Sequence, residues 1–131
     1  MSKHLAIFVG NAIDKILSGK QTIEARFNKE KILPYEAIKK GDEIYLKQSG
    51  GLIEGKVTVD NVLFYQHLNS QDIANLKKEY NDNIDGADDF WLQKSNCKYA
   101  SIIFLKDPRR FLTPVKISKR SRHPWILLEK D

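Results

Sequence analysis

Between Thr22 and Phe27 apolar and polar residues alternate with a period of two. Ile23, Ala25 and Phe27 share one face; Thr22, Glu24 and Arg26 share the other, with Lys20 just before them in the same phase. The alternation predicts a strand over 21–27, entered from a turn at Gly19, with its apolar face on a core. The same period predicts strands over 43–48, with Ile44 and Leu46 inward, and over 52–65, with a bulge near Asp60-Asn61. Ser49-Gly50-Gly51 supplies the turn between them. His4–Val9 and Lys98–Leu105 are apolar enough for buried strands. Phe111–Ile117 and Trp125–Leu128 predict two more, the first set apart from Lys98–Leu105 by a basic loop over 106–110.

Helical spacing appears twice at length. Ile13, Ile16 and Leu17 follow Asn11, a good N-cap, and predict a helix over 11–18 that stops at Gly19. Ile73, Leu76 and Tyr80 follow Asn69-Ser70 and predict a helix over 70–80. A polar loop over 81–86 leads into a short helix, Asp88–Lys94, carrying Phe90 and Trp91. Residues 28–40, with Pro34 and then Gly41 as breakers, read as a loop with one helical turn. Short strands with a few helices in the connections predict an α+β fold, a compact mixed β-barrel with peripheral helices. Regular strand–helix alternation and a glycine-rich phosphate loop, the marks of a doubly wound sheet, are missing.

With 131 residues, 41% of them apolar, the chain is expected to form one domain over 1–131. No apolar run approaches the ~20 residues of a membrane span, so no membrane partner is expected. No signal segment is recognised before the first strand. The single cysteine, Cys97, rules out an internal disulfide and fits a reducing compartment, so the expected location is cytoplasmic. Charge is unevenly placed. Residues 106–131 hold eight Lys/Arg and three Asp/Glu, a balance of +5 that equals the net charge of the whole chain. Asp72–Asp89 holds six acids and two lysines. A dipolar surface of this kind has a basic side suited to phosphate, with simple solubility as the plain alternative.

The run Ile16-Leu17-Ser18-Gly19-Lys20-Gln21-Thr22-Ile23-Glu24-Ala25-Arg26, with Lys40-Gly41-Asp42-Glu43-Ile44 after it, resembles the ASCH family. That family is named for homology to a transcriptional cointegrator. Its signature is Gly-basic-x-Thr-hydrophobic-Glu-x-Arg, then Gly-Asp before a strand. The ending Lys119-Arg120-Ser121-Arg122-His123-Pro124-Trp125-Ile126-Leu127-Leu128 is similar to the basic run and tryptophan of its cointegrator-like branch. The Phe90-Trp91 pair and Lys98-Tyr99-Ala100-Ser101 agree with small bacterial members. The resemblance spans residues 5–128 and implies a PUA-like barrel whose cleft faces RNA, DNA or a modified nucleoside. Some small members remove the acetyl group from N4-acetylcytidine, using a threonine five residues after the motif glycine and a lysine two residues after it. Here those positions hold Glu24 and Gln21; Thr22 and Lys20 are present but offset, and on a strand a one-residue offset reverses the face. That amidohydrolase machinery does not carry over. Another branch has been proposed to cleave RNA, without a motif that transfers to these residues.

The residues leave catalysis open and favour binding. Glu24 beside Lys20 and Arg26 can accept hydrogen bonds from an exocyclic amine, act as a general base if buried, or form a structural ion pair. Lys20 and Glu24 are therefore the catalytic candidates, and Lys20, Thr22, Glu24 and Arg26 the expected lining of a ligand cleft. Lys47, Ser49 and Gly50, at a strand end, are expected to form one wall, with backbone amides open to a phosphate; a plain hairpin turn is the alternative. Trp91 is placed at the cleft rim for stacking on a base and Trp125 in the core. Lys119, Arg120 and Arg122 are expected to hold phosphates. His4, His67 and His123 lack ligand spacing, so neither a metal nor another cofactor is expected. The expected partner is RNA or another nucleic acid, including a modified nucleoside. A nucleoside or RNA hydrolase using Glu24 and Lys20 is the rival, and an adaptor built on the acidic Asp72–Asp89 segment the third reading. The oligomeric state is not legible.

Overall fold

The computed structural model describes residues 1–117 and 122–130. Chain order is β1 (Lys3–Phe8), α1 (Ala12–Leu17), β2 (Ile23–Asn28), β3 (Glu43–Gln48), β4 (Ile53–Tyr65), α2 (Ser70–Ile84), α3 (Asp88–Lys94), β5 (Tyr99–Val115) and β6 (Trp125–Glu129). The strands form one sheet in the order β2-β5-β4-β3-β1-β6. β1 and β3 run parallel, and the other pairs are antiparallel. The sheet curls into a mixed half-barrel, an α+β fold.

Two cores lie on its two faces. One gathers Ala6, Phe8, Ile44, Leu46, Val57, Val59, Ile103 and Trp125 with Ile13 and Ile16 of α1, which plugs the inside of the curl. The other joins Ile23, Ala25, Phe27, Ala100 and Ile102 to Ile73, Leu76 and Ile84 of α2 and Trp91 of α3. The predicted phase of β2 holds: its apolar residues face the helices. Its polar residues consequently face the inside of the curl, because Glu24 and Arg26 are the cross-strand partners of Ile103 and Ser101.

Local chemistry explains the helix starts. Asn69 caps α2, its side chain accepting from the Asp72 N–H at 2.9 Å while Asp72 returns the bond to the Asn69 N–H at 3.0 Å. Asn11 occupies the cap position of α1 without a side-chain capping bond. Gly19, at φ +83, takes the left-handed conformation that turns the chain from α1 into β2.

Three expectations are corrected. The strands expected at 98–105 and 111–117 are one seventeen-residue strand, β5. The basic loop expected over 106–110 is part of that strand, accommodated by a register shift against β4 between Lys56 and Thr58; the expected bulge near Asp60-Asn61 is the shift between Val59 and Asn61. α2 runs through the expected polar loop to Ile84, whose buried side chain anchors the extra turn, and ends at Asp85 in the left-handed region.

The two ends of the sheet, β2 and β6, are not joined by backbone pairing among the described residues. A side chain spans the seam instead. Arg26 of β2 donates from Nη2 to the carbonyl of Ile7 in β1 at 3.1 Å. Its guanidinium carbon lies 4.9 Å from the Phe8 ring centroid and 5.1 Å from that of Trp125. Trp125 is fixed in turn: its indole N–H donates to His4 Nδ1 at 3.0 Å, and His4 Nε2 meets Asp42 Oδ2 at 2.9 Å. The indole can only donate, so His4 holds its proton on Nε2 and donates to Asp42. Asp42 also accepts from the N–H groups of Ser2 and Lys39. Burial pushes the Asp42 carboxyl up, but these bonds, His4's first, outweigh it and hold the group below the usual aspartate range.

Candidate functional site

A cavity of about 510 Å³ opens at this seam. β2 supplies its floor, the end of β1 and Pro124 one side, α1 another, and the α2–α3 corner the far wall. The volume lies within the ~300–1,000 Å³ usual for small-molecule sites. A second hollow, about 350 Å³ between α2 and α3, is lined by Ile73, Ala74, Trp91 and Leu92 together with the Lys77–Asp88 ion pair.

Glu24 is the central group of the seam cavity. It is 9% exposed, and Oε2 lies 3.5 Å from Arg26 Nη2, a long contact for a charged pair. Burial pushes its carboxyl above the ordinary glutamate value of 4.5, and the Arg26 charge and bond pull it only part of the way back. The cavity thus keeps a carboxyl that holds its proton to higher pH than a surface glutamate does. Gln21 lines the same cavity, 5% exposed, with Nε2 donating to the Ile23 carbonyl at 3.0 Å. On the far wall Lys94 lies with Nζ 5.2 Å from the Phe90 ring centroid. Lys15 reaches the same wall and is held by Asp85, through its carbonyl at 2.9 Å and its carboxylate at 3.2 Å. The bond and charge of Lys15 draw the Asp85 carboxyl below the usual aspartate range.

Of the residues expected to form the cleft, Glu24 and Arg26 are brought together on its floor. Thr22 is not part of the lining. It is exposed, and its backbone links elements: the N–H donates to Asn83 at the end of α2, and the carbonyl accepts from Leu105 of β5. Lys20 is exposed and lies 3.7 Å from Asp85, so the expected pairing with Glu24 is replaced by one at the rim. Lys47, Ser49 and Gly50 do not line the cavity, because β1 stands between their turn and β2. There Ser49 N–H donates to the Phe8 carbonyl, and Lys47 Nζ to that of Gln48. Trp91 is a core residue, 4% exposed, with its N–H on Asn81 Oδ1 at 2.9 Å; Trp125 is buried as expected. Arg122 is exposed, two residues before the lining residue Pro124. Lys119 and Arg120 lie outside the described residues. Among the described residues no group of His, Cys, Asp and Glu is placed to hold a metal ion, and no helix is long and apolar enough to cross a membrane.

Gln21, Lys94, Lys15 and the Asp85 corner were missed. Gln21 had a signal, the second position after the motif glycine; the others come from elements distant in sequence, and only the packing of the α2–α3 corner onto β2 gathers them.

The fold has counterparts among solved structures. The crystal structure of ASCH from Zymomonas mobilis superposes with a TM-score of 0.73 over 98% of this chain and 88% of its own, at 14% identity. The fold is ASCH-like. A tyrosine-to-phenylalanine variant of that ASCH protein gives a TM-score of 0.74 over 99% of this chain and 92% of its own, at 13% identity. A serine-to-alanine variant gives 0.72 over 98% and 89%, at 12% identity. Identities this low make the ASCH likeness one of fold. No family model matches the chain, and no curated protein matches it.

Proposed function

We propose that this chain is a cytoplasmic nucleic-acid-binding module that seats one nucleotide of a single-stranded RNA in the seam cavity. The observation that carries the reading is a buried carboxylate beside a guanidinium on the floor of a cavity of about 510 Å³. Charged groups kept from water at an open cavity are expensive unless a ligand uses them. The ASCH-like fold supports the same reading. Glu24 and Arg26 would read the base edge. The phosphates would lie towards Lys94 and the basic segment that ends at Arg122, in a stretch whose excess charge is +5.

The test is a titration of short single-stranded RNA at several salt concentrations. Affinity should fall steeply as salt rises. The combined change Lys119→Glu, Arg120→Glu and Arg122→Glu should weaken every sequence alike and flatten the salt slope. Unchanged binding by that variant at low salt would remove the basic segment from the site.

The upward push on Glu24 favours a second reading, a hydrolase with Glu24 as general acid or base. Lys20, which lies at Asp85, would not be its partner; Lys94 would be the nearer cation to enlist. Time-dependent product from a modified nucleoside or an RNA oligomer, lost in Glu24→Gln, would establish it. The adaptor reading has less behind it. Asp72, Asp85 and Asp88 of the acidic segment are engaged by the α2 cap, Lys15 and Lys77.

A further inference from the structure

Much of the chain's excess positive charge lies away from the seam. Residues 106–122 hold seven Lys/Arg and one acid, and none of Lys106–Lys116 lines the cavity. Most of that stretch is the second half of β5, paired with the first half of β4. The outside of the sheet is open there. Ile44, Leu46 and Val57 point into the core, so Tyr45 and Lys56 point outwards. Tyr45 pairs with Lys56 and Lys56 with Arg109, which makes one row across β3, β4 and β5. α1 fills the inside of the curl, and α2 and α3 pack on the outside at β2 and the start of β5. In the row, Tyr45 and Lys56 are half-buried and Arg109 is exposed. Beyond it the ladder sets four residues of β5, Phe111–Pro114, opposite Glu54 alone. This bulge carries Phe111 over β4 onto Tyr45, with ring centroids 6.1 Å apart, and leaves Leu112 fully exposed. Neither Phe111 nor Leu112 belongs to either core. Lys56 is held by Glu43 at 2.8 Å, Lys106 by Asp60, and Arg110 by Asp14 and Glu54. Among the described residues no carboxylate pairs with Arg109 or Lys116.

We infer that this outer face is a second RNA contact, a platform on which Tyr45 and Phe111 stack a base of single-stranded RNA while Arg109 and Lys116 meet its phosphates. The inference rests on the nucleic-acid reading above and adds a surface to it. A half-exposed aromatic pair offers a π-face to any base, and free cations at its edge suit a polyanion. The same charge that attracts a phosphate backbone turns away a basic protein. A bulge that builds no core, yet brings two rings together beside unpaired cations, has its use at the surface.

A mixed-sequence RNA oligomer and an abasic strand of equal length would be titrated against the full chain at several salt concentrations. The abasic strand keeps the phosphates and should bind about fivefold or more weakly. Tyr45→Leu and Phe111→Leu keep an apolar side chain without the ring. Each should weaken the RNA about fivefold or more and shrink the gap between the two strands. Tyr45→Phe keeps the ring and should bind as the parent does. Arg109→Ala, at an exposed position, should weaken both strands alike and lower the salt slope by about one, a reading that stands if the leucine variants do not fold. If the parent binds neither strand, the nucleic-acid reading itself falls. If a folded Phe111→Leu variant binds RNA as the parent does, or Arg109→Ala leaves the salt slope unchanged, the platform alone is overturned and the face is left to an acidic protein.

Discussion

Replacing Arg26 by alanine tests whether a side chain closes the barrel seam. Three losses follow from the structure. The Ile7 carbonyl loses a charged donor, worth about 1.5–3 kcal/mol for bonds of this kind. The faces of Phe8 and Trp125 lose their cation, at ~0.5–1 kcal/mol each. Glu24 loses the one side chain bonded to it among the described residues, a loss limited because the carboxyl can take up a proton instead. The sum is about 2.5–5 kcal/mol. At roughly 2.1 cal/mol/K of unfolding entropy per residue, a chain of 131 residues should melt about 9–18 °C lower. The pH dependence has a definite sign. Without Arg26 the folded-state pKa of Glu24 rises further above its ordinary 4.5. An acid whose pKa is raised by folding binds more protons in the folded state, so stability falls as pH rises through that pKa. The deficit of Arg26→Ala should therefore be largest at pH 8 and shrink towards pH 4.5. Melting the parent and the variant by circular dichroism across that range measures both quantities. A loss under ~3 °C, or one that does not vary with pH, would refute the seam clasp.

Three further outcomes follow. Glu24→Gln should match or exceed the parent in melting temperature at pH 7–8, where the buried carboxylate is a burden, and lose that advantage as the pH falls through the folded pKa of Glu24. A calorimetric scan at two pH values decides it. Gly55→Ala places a Cβ 2.4 Å from the Arg109 backbone oxygen and 3.0 Å from Leu17, so it should destabilise by ~1–3 kcal/mol in urea unfolding. Asp42 has its pKa held down in the fold, so its contribution is present above pH 3.8 and fades as pH falls through the lower folded value; Asp42→Asn should melt lower than the parent at pH 6, the gap closing in acid.

Where pairing followed local pattern, the sequence was readable. Strand 43–48 and helix 88–94 fall where their residues predict, and the phase of Ile23, Ala25 and Phe27 is that of β2. Pattern failed where distant contacts overrode local preference. Residues 106–110 read as a basic loop, yet the ladder with β4 carries β5 through them. The site was half legible. Strand phase places Glu24 and Arg26 together, but only the curl of the sheet shows that their face is enclosed. Thr22 and Lys20 share the phase in sequence and lie before the first residue of β2, where the chain still follows the turn from Gly19. The chain from Arg26 through Trp125 and His4 to Asp42 links residues up to 121 positions apart, and no periodicity encodes it.

β2 pairs with β5 only as far as Phe104, so among the described residues no strand lies beside the outer side of Lys106–Val115. Such an edge invites a strand from another molecule to dock. Here Pro108 and Pro114 lack the N–H groups a docking strand would need, the positive φ of Asp107 bends the edge, and Lys106, Arg109 and Arg110 charge it. These residues contribute little to the interior, and their value is colloidal. Replacing Pro108 and Pro114 by valine would leave the melting temperature nearly unchanged and convert a monodisperse solution into one that accumulates intermolecular β-structure.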